Sequence, residues 1–566
     1  QTALGTPVVL QMAERGQIER AHGRVWNTAS LGERLVMAGL IDREELRQGL
    51  KVCEATGVRL GEALLSLHAV NDTELAFFLA KQAGVPYFDL GTAVPDPEVT
   101  ALMPPPTGGR ASYLPLYREA NGSIVLAAPD PLSAGELSAA SKELGVDRVR
   151  QVVVAEAAFN ETLDAVFRNE FHAYSAGALM TRSPEQSARW VLNRGQQLSA
   201  LLVTAALIGG VVRFPIATGT AVMALATVFY VGFSIYKFYL AYSALTHTLE
   251  IETSDEEVEA LDERFLPVYT ILVPLYEETE VLARLVRAID RLDYPKPKLD
   301  VKLLLEEDDE ETILAARQAG LPRHFQLVIV PRGQPKGKPK ACNYGLIYAR
   351  GDFVVIYDAE DLPERDQLKK ALVAFAKGDD KLACVQAKLN YFNRDQNLLT
   401  RWFTTEYSMW FDLFLPGLDA SHAPIPLGGT SNHFRTQRLR ELGAWDPYNV
   451  TEDADLGARL FKVGWKTAVM DSTTYEEANS QIYNWIRQRS RWVKGYIQTY
   501  LVHMRNPVLL LRQLGLKDFF SFQMVIAGTF IGFLANPVFW VMTAGWFLFQ
   551  WPWIKQIFPP VLFYLG

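Results

Sequence analysis

The second half of the chain alternates between short apolar runs and amphipathic segments. Runs rich in β-branched and aromatic residues occupy 268–274, 301–305, 327–330 and 353–357. Strands that alternate with helices pair in parallel, because each helix returns the chain to the same edge of the sheet. The pattern predicts an α/β domain with a mostly parallel sheet.

An internal repeat lies near the start of the chain. The segment 31–35, Leu-Gly-Glu-Arg-Leu, recurs 29 residues later at 60–64 as Leu-Gly-Glu-Ala-Leu, and apolar residues follow both copies at matching offsets. Each copy predicts two short helices joined by a turn. With the segments after it, the repeat predicts a helical-repeat and α+β domain.

Two long apolar runs, 198–212 and 216–235, separate these regions. At about 1.5 Å per residue each approaches the roughly 30 Å of bilayer hydrocarbon. Arginines precede the first run, and a lysine with several tyrosines ends the second. This arrangement predicts a membrane hairpin with both ends in the cytoplasm. Further apolar runs at 519–549 and 557–565 predict more membrane helices.

Composition narrows the class of protein. Of the 566 residues 49% are hydrophobic, and the mean hydropathy is +0.02, which suits a chain with soluble and membrane segments. A net charge of -8 and a pI of about 5.7 argue against a nucleic-acid partner. The three cysteines lack metal-ligand spacing. The chain begins with Gln1 and stops in apolar sequence, so we expect it to be part of a longer protein.

Carboxylates follow the last of the predicted strands. Asp358, Glu360 and Asp361 come at the end of 353–357, and the carboxyl ends of strands are where α/β sheets bind ligands. Mg²⁺ prefers a few carboxylates together with phosphate oxygens, and the lysine-rich loop 336–340 can supply point charges to phosphate. The sequence predicts a site for a metal-bound diphosphate. A strand followed by a polar capping turn is the structural alternative.

Four motifs together resemble the inverting family-2 glycosyltransferases, in particular the membrane synthases of the cellulose, curdlan and hyaluronan type. In chain order they are Glu306-Glu307, Asp358-Ala359-Glu360, Thr451-Glu452-Asp453 and Gln488-x-x-Arg491-Trp492. Two positions depart from the family, which usually has Asp-Asp in the first motif and a second Asp at Glu360. The resemblance implies a GT-A-like fold and sugar transfer from a nucleotide sugar.

The resemblance also implies roles for individual residues. Asp453 would act as general base on the acceptor hydroxyl, Trp492 would face the acceptor sugar, and Asp358 and Glu360 would hold Mg²⁺ or Mn²⁺. The implied catalytic residues are Asp453, Glu452, Arg491, Trp492 and Gln488. The implied nucleotide-sugar-binding residues are Pro274, Tyr276, Glu278, Glu306, Glu307, Lys338, Asn343 and Asp358.

The repeat resembles the N-terminal domain of type II secretion ATPases, in which a doubled Arg-Leu-Gly segment binds cyclic di-GMP. The resemblance continues through 82–87, 114–116 and 127–131. Ser30 stands where the family has its first arginine, and Cys53 and His68 replace a usual Gln and Gly. A structural or docking role is the alternative. The implied cyclic di-GMP residues are Leu31, Gly32, Arg59, Leu60 and Gly61.

These assignments divide the chain into six parts. They are a type II secretion ATPase N-terminal-like regulatory domain at 28–168, a linker at 169–196, a transmembrane hairpin at 197–245, a GT-A family-2 glycosyltransferase domain at 265–480, amphipathic interface helices at 481–517 and transmembrane helices at 518–566. We expect a multi-pass protein of the bacterial inner membrane with both soluble domains in the cytoplasm.

The predicted function is inverting, metal-dependent transfer of a sugar to a growing polysaccharide, with export of the polymer and regulation by cyclic di-GMP. The predicted partners are a nucleotide sugar, a polysaccharide acceptor, the lipid bilayer, cyclic di-GMP and cell-envelope export proteins. Two alternatives stay open. One is a non-processive transferase that makes a lipid-linked sugar, and the other is a membrane adaptor for secretion machinery with a decayed transferase domain.

Overall fold

A computed structural model describes residues 30–246 and 251–561. Each copy of the repeat is a pair of helices, as predicted, and their apolar faces share one small core around Leu35, Leu64 and Phe78. The helices are α1 (Leu31–Met37), α2 (Arg43–Thr56), α3 (Leu60–Ser66) and α4 (Asp72–Ala83).

Ser30 and Arg59 occupy the same position in the two copies but make different contacts. Ser30 caps α1, because its hydroxyl accepts from Glu33 N and the Glu33 carboxylate accepts from Ser30 N at 2.9 Å. Arg59 instead forms a 3.0 Å ion pair with Asp130. The serine that departs from the family pattern therefore has a structural role.

Gly32 and Gly61 allow the helices of the repeat to approach closely. A Cβ at Gly32 would lie 2.5 Å from Leu46, and one at Gly61 would lie 2.9 Å from Leu75. Both glycines are therefore needed for packing, whether or not they also contact a ligand.

A small sheet completes the N-terminal part. Its strands are β1 (Leu114–Arg118), β2 (Ile124–Ala128) and β3 (Val149–Val153). β1 and β2 are antiparallel, and β3 runs parallel to β2. The helices beside it are α5 (Pro97–Thr100) and α6 (Ala134–Glu143).

The segment expected to be a linker, 169–196, is helical as far as Arg182, because α7 spans Glu156–Arg182. Phe171, Ser175 and Leu179 recur every fourth residue and are buried, so this part of α7 has an apolar face that packs against the second half of the chain. Only 183–193 is irregular, and a hairpin of α8 (Arg194–Arg213) and α9 (Pro215–Thr246) follows it.

An eight-stranded sheet forms the centre of the second half. Its strands are β4 (Tyr269–Leu275), β5 (Leu299–Glu306), β6 (Phe325–Val330), β7 (Phe353–Ile356), β8 (Leu362–Pro363), β9 (Leu382–Tyr391), β10 (Asn432–Arg435) and β11 (Lys466–Glu476). Their order is β6-β5-β4-β7-β10-β9-β11-β8.

The sheet is mixed, which corrects the prediction of a mostly parallel one. β4 to β7 are parallel, as predicted. β10 is antiparallel to both β7 and β9, whereas β11 runs parallel to β9 and β8 is antiparallel to β11. It follows that β7, β9 and β11 point the same way, and their carboxyl ends share one edge.

Helices cover this sheet. They are α10 (Asp255–Glu259), α11 (Leu282–Asp290), α12 (Glu310–Gln318), α13 (Lys338–Ile347), α14 (Gln367–Lys377), α15 (Leu398–Met409), α16 (Leu415–Ala420), α17 (Thr436–Leu442), α18 (Glu452–Lys462) and α19 (Ile482–His503). α13 is buried from Lys340 to Ile347, so its orientation depends on the elements around it.

Three helices of the described residues are long and apolar enough to cross a membrane: α8, α9 and the continuous segment Pro507–Phe547. That segment contains α20 (Pro507–Phe522), a π-helical turn and α21 (Gly528–Phe547), and α22 (Pro552–Ile557) follows it. The predicted run 557–565 extends beyond the described residues, and the number of membrane helices stays a prediction.

Candidate active site

Carboxylates concentrate where β7 ends, as the sequence predicted. Asp361 is buried at this end of the strand, and its Oδ2 accepts hydrogen bonds from Asp358 N at 2.7 Å and from the Thr430 hydroxyl. Its Oδ1 is buried without a partner among the described residues. Burial and the charge of Asp358 raise the pKa of Asp361, and the same two causes raise the pKa of Glu360 to about 7.

Lys338 provides the positive charge at this end of the sheet. It is the first residue of α13, and its ammonium donates to the Asp358 carboxylate and, at 2.8 Å, to the Gly429 carbonyl. Burial lowers the pKa of Lys338, but the charges of Asp358 and Glu452 outweigh this effect and raise it overall. The lysine therefore stays charged and links the loop around Gly429 to the end of β7.

The Thr-Glu-Asp motif places two more carboxylates beside this lysine. Glu452 and Asp453 begin α18 and line the same cleft. A Cβ at Gly429 would lie 3.5 Å from Asp453 Oδ2, so Asp453 sits next to the carbonyl that Lys338 contacts. Burial raises the pKa of both Glu452 and Asp453. Thr451 precedes α18, but its buried hydroxyl makes no capping hydrogen bond.

The Gln-x-x-Arg-Trp motif lies on α19 along another wall of the cleft. Gln488 accepts from Asn479 at 2.9 Å. Arg491 has no hydrogen-bond or ion-pair partner among the described residues, and it lines the cleft together with Trp492. Its guanidinium is therefore available to an anionic ligand.

Arg489 holds Trp492 in place, a role that the sequence did not indicate. Its guanidinium lies 4.6 Å from the Trp492 ring centroid and 4.7 Å from that of Phe403. It also forms a forked ion pair with Glu406, with one contact at 2.6 Å. The stacked rings and the ion pair fix the indole at the edge of the cleft.

One cleft of about 1260 Å³ joins these residues to the long apolar helices α9 and α21. Its inner end is lined by Lys338, Asp358, Glu360 and Asp453, whereas its outer end is lined by side chains of α9 and α21. Those of the outer end include Phe233, Lys237, Phe238, Phe533 and Asn536. A ligand could therefore extend from the carboxylates to the surfaces of α9 and α21.

Glu476 is a cleft residue that the sequence analysis missed. It ends β11, whose carboxyl end shares an edge with that of β7, and burial together with the charge of Asp361 raises its pKa. A carboxylate at the end of a strand was a usable signal, but β11 itself was not predicted.

The first acidic pair does not line the cleft. Glu306 is buried and forms a 3.0 Å ion pair with Lys340, which also donates to Pro331 O at 2.9 Å. Glu307 forms an ion pair with Arg168 of α7 at 2.6 Å. Lys340 is fully buried, so the prediction that it offers charge to phosphate is wrong.

Asn343 is also absent from the cleft. Its Nδ2 donates to Ser175 O at 3.0 Å and to Trp445 O at 2.9 Å, while its Oδ1 accepts from Trp445 N at 3.1 Å. These hydrogen bonds join α13 to α7 and to the loop after α17. The prediction that Asn343 binds the nucleotide sugar conflicts with this structural use of both ends of its amide.

The remaining predicted residues lie at or behind the rim. Lys336 lines the cleft and lies 3.7 Å above the Tyr276 ring. Burial and then the charge of Asp358 raise the pKa of Glu278, which places this carboxylate within electrostatic reach of the cleft. Pro274 is in β4, paired with Leu304 of β5, and does not line the cleft.

Comparison with known families identifies both parts of the chain. Residues 267–495 match the model described as glycosyltransferase like family 2, and residues 83–173 match the MshEN domain. The chain carries a family-2 glycosyltransferase domain and an MshEN domain. The MshEN match begins after the doubled motif and ends within α7.

Individual relatives cover parts of this chain. The probable glycosyltransferase YdaM of Bacillus subtilis (strain 168) is 26% identical over 278 residues, which are 48% of this chain and 66% of that protein. The mannosyltransferase PcManGT from Pyrobaculum calidifontis, solved with GDP-Man and Mn2+, is 19% identical, with a TM-score of 0.40 over 61% of this chain and 97% of that one. MshE, solved with cdg, is 28% identical, with a TM-score of 0.22 over 24% of this chain and 99% of that one.

The carboxylates of this cleft suit a divalent cation only in part. Asp358 and Glu360 are hard oxygen ligands at one strand end, but no group of three or more His, Cys, Asp or Glu side chains in 30–246 and 251–561 is arranged to hold a metal ion. A cation that takes its other ligands from phosphate oxygens fits this set, as Mg²⁺ commonly does.

We predict that Asp453→Asn lowers sugar transfer by about 10²- to 10⁴-fold, the usual effect of losing a general base. Nucleotide binding should stay near the wild-type value, because Lys338 and Asp358 are unchanged. Burial raises the pKa of Asp453, and a general base must be ionised to accept a proton. When the pH is lowered, wild-type activity should therefore start to fall at a higher pH than an ordinary aspartate would require.

Initial rates and nucleotide titrations measure both effects. Glu477→Gln is the matched control, since Glu477 follows the cleft residue Glu476 in sequence but is exposed and does not line the cleft. An Asp453→Asn protein with more than about a tenth of the wild-type rate contradicts the assignment.

Proposed function

We propose that this protein transfers a sugar, with inversion, from a nucleotide sugar to a growing polysaccharide at the bacterial inner membrane. The observation that carries the proposal is the continuous cleft from Lys338, Asp358 and Asp453 to α9 and α21. It gives a charged end for the donor and a membrane-facing end for the acceptor. In this arrangement both soluble domains lie in the cytoplasm.

At the charged end, Lys338 and Arg491 bind the diphosphate of the donor, and Asp358 and Glu360 are the residues that would hold Mg²⁺ or Mn²⁺. When bound, the cation supplies positive charge that offsets the charge of the leaving diphosphate. Preorganised charges of this kind stabilise the transition state without reorganisation of the site. Tyr276 and Glu278, at the rim, lie on the side where we place the nucleoside.

Asp453 removes the proton from the acceptor hydroxyl, and Trp492 offers a ring face to the acceptor sugar. Inversion needs one base, because the departing diphosphate requires no proton from an acid. Burial and the charge of Asp358 raise the pKa of Asp453, which makes its carboxylate a stronger base, and Glu452 precedes it in the first turn of α18. Gln488 accepts a hydrogen bond from Asn479, which holds the start of the Gln-x-x-Arg-Trp motif in position.

A lipid-linked acceptor is the second candidate. The outer end of the cleft is formed mainly by aromatic side chains of α9 and α21, with Lys237 and Asn536 among them, and these suit an acyl or prenyl chain as well as a polymer passing between helices. Export of the product through these helices, and any partner in the cell envelope, belong to the polysaccharide proposal only.

We also propose that the N-terminal repeat binds cyclic di-GMP and raises activity. Arg59 is largely exposed, and its partners among residues 30–246 and 251–561 are Asp130 and Glu62, so its guanidinium can exchange them for a phosphate or a guanine face. Ser30 offers no such group in the first copy. We therefore expect modest affinity, with Leu31, Gly32, Leu60 and Gly61 contributing mainly backbone and apolar contacts.

We predict turnover of at least one of UDP-glucose, UDP-N-acetylglucosamine and GDP-mannose by the purified full chain with Mn²⁺. Release of nucleoside diphosphate measures transfer, and the length of the labelled product separates a polymer from a lipid carrying one sugar. Loss of turnover in Asp358→Asn shows that the signal comes from this cleft. A folded protein inactive towards all three donors supports the decayed-transferase alternative.

We predict that Arg59→Ala removes most cyclic di-GMP binding by the full chain. Titration calorimetry measures the affinity, and Arg47→Ala is the control because Arg47 is an exposed arginine of α2 that pairs with Glu44. If wild-type protein shows no binding at tens of micromolar ligand, the domain is better explained as a docking module.

A further inference from the structure

Helix α7 belongs to both soluble parts of the protein. Phe159 and Leu163, in its first half, are buried with the residues of the three-stranded sheet. Phe171, in its second half, lies with its ring centroid 6.4 Å from that of Tyr344 on α13. Between the halves, Phe167 has non-helical backbone angles (φ -107°, ψ 18°). A single kinked helix therefore connects the MshEN domain to the glycosyltransferase domain.

The second copy of the repeat holds the start of α7. Asp72, the first residue of α4, accepts a hydrogen bond from Ala157 N at 2.8 Å. The same carboxylate lies 3.6 Å from Arg323 of the glycosyltransferase domain. α4 directly follows α3, the helix that Arg59 precedes. A ligand that shifts this pair of helices would therefore also displace the first turn of α7.

The middle of α7 holds the loop that leads to Lys338. Arg168 forms the ion pair with Glu307, and the other oxygen of Glu307 accepts from Arg332 N at 3.0 Å. His172 packs so closely on Gly333 that a Cβ there would overlap its Nε2. This Nε2 is buried without a hydrogen-bond partner among the described residues, so packing positions the ring.

The same helix also holds α13. Asp164 accepts hydrogen bonds from the hydroxyls of Tyr344 and Tyr348, the second at 2.6 Å. Ser175 O accepts from Asn343, as described above. α7 thus contacts both the loop before α13 and the body of α13. A displacement of α7 would therefore move the loop and α13, and with them the Lys338 ammonium. Packed groups of this kind switch between discrete arrangements rather than deform continuously.

We infer that Arg168 and His172 are positioning residues that couple the MshEN domain to Lys338, so that cyclic di-GMP and the nucleotide each strengthen the binding of the other. The inference rests on the proposed function, because it takes cyclic di-GMP as the ligand of the repeat and a diphosphate as the ligand of Lys338. It also gives Glu307 a use between domains rather than in the cleft.

Reciprocity makes this inference measurable without knowledge of the transferred sugar. If cyclic di-GMP favours diphosphate binding, the diphosphate must favour cyclic di-GMP binding by the same factor, typically about 5- to 150-fold. The experiment is calorimetric titration of the full chain in lipid nanodiscs with cyclic di-GMP, first alone and then with saturating UDP or GDP and Mn²⁺. The ratio of the two affinities is the coupling factor.

Four variants test the named contacts. Arg168→Ala should lower the coupling factor by about 2- to 30-fold, with cyclic di-GMP affinity in the absence of nucleotide unchanged. Arg168→Lys, which can still reach Glu307, should retain most of the coupling. Gly333→Ala should lower the coupling factor, because the added Cβ overlaps with His172. The double variant Gly333→Ala with His172→Ala removes this overlap and should regain part of the coupling. Glu170→Gln, on the exposed side of α7, is the matched control.

The outcomes separate this inference from the proposed function. If wild-type protein binds both ligands with a coupling factor near one, or if Arg168→Ala and Gly333→Ala couple as strongly as wild type, the inference is overturned and the proposed ligands stand. If wild-type protein does not bind cyclic di-GMP, the proposed regulation fails and the inference fails with it. Loss of coupling in Arg168→Ala, with retention in Arg168→Lys and Glu170→Gln, supports the inference.

Discussion

The site is dominated by one interaction: the ammonium group of Lys338 lies among more carboxylates than it can neutralise. The charge of Lys338 acts on Glu360, Asp361, Glu452, Asp453 and Glu476, in addition to the Asp358 carboxylate that it contacts. Burial raises the pKa of each of those five, so the group is costly to assemble. Such a cluster is stabilised when positive charge enters beside the carboxylates, and a divalent cation would supply it while the diphosphate completes the ligand set of the cation.

The placement of Lys338 explains much of the surrounding architecture. The lysine begins α13, which is buried from Lys340 to Ile347, so the position of this helix is set by its neighbours rather than by solvent. Asn343 fixes one side of it to Trp445 and Ser175, and the buried Glu306–Lys340 pair fixes it to β5. Residues that looked like ligand contacts in the sequence thus serve to hold the helix that presents Lys338.

The sequence predicted the order of the elements better than the direction of side chains. Strand ends could be located, because apolar runs stop abruptly at Glu306 and Asp358. Whether an acid at a strand end faces the cleft depends on the helix that covers it, and the second half of α7 lies in a segment that was expected to be a linker. Lys338 and Lys340 lie about 200° apart on an α-helix, so only one of them can face the cleft. β10 escaped prediction because its four residues, Asn432–Arg435, lack an apolar pattern.

The most direct test of this account is whether the inner end of the cleft takes up a cation and a diphosphate together. Mn²⁺ binding to the full chain can be followed by its paramagnetic resonance signal, with and without UDP or GDP, for wild type and for Asp358→Asn. The account predicts that wild-type protein binds Mn²⁺ much more tightly with the nucleotide than without it, and that Asp358→Asn loses this gain. Equal Mn²⁺ affinity with and without either nucleotide, or the same gain in Asp358→Asn, would contradict it.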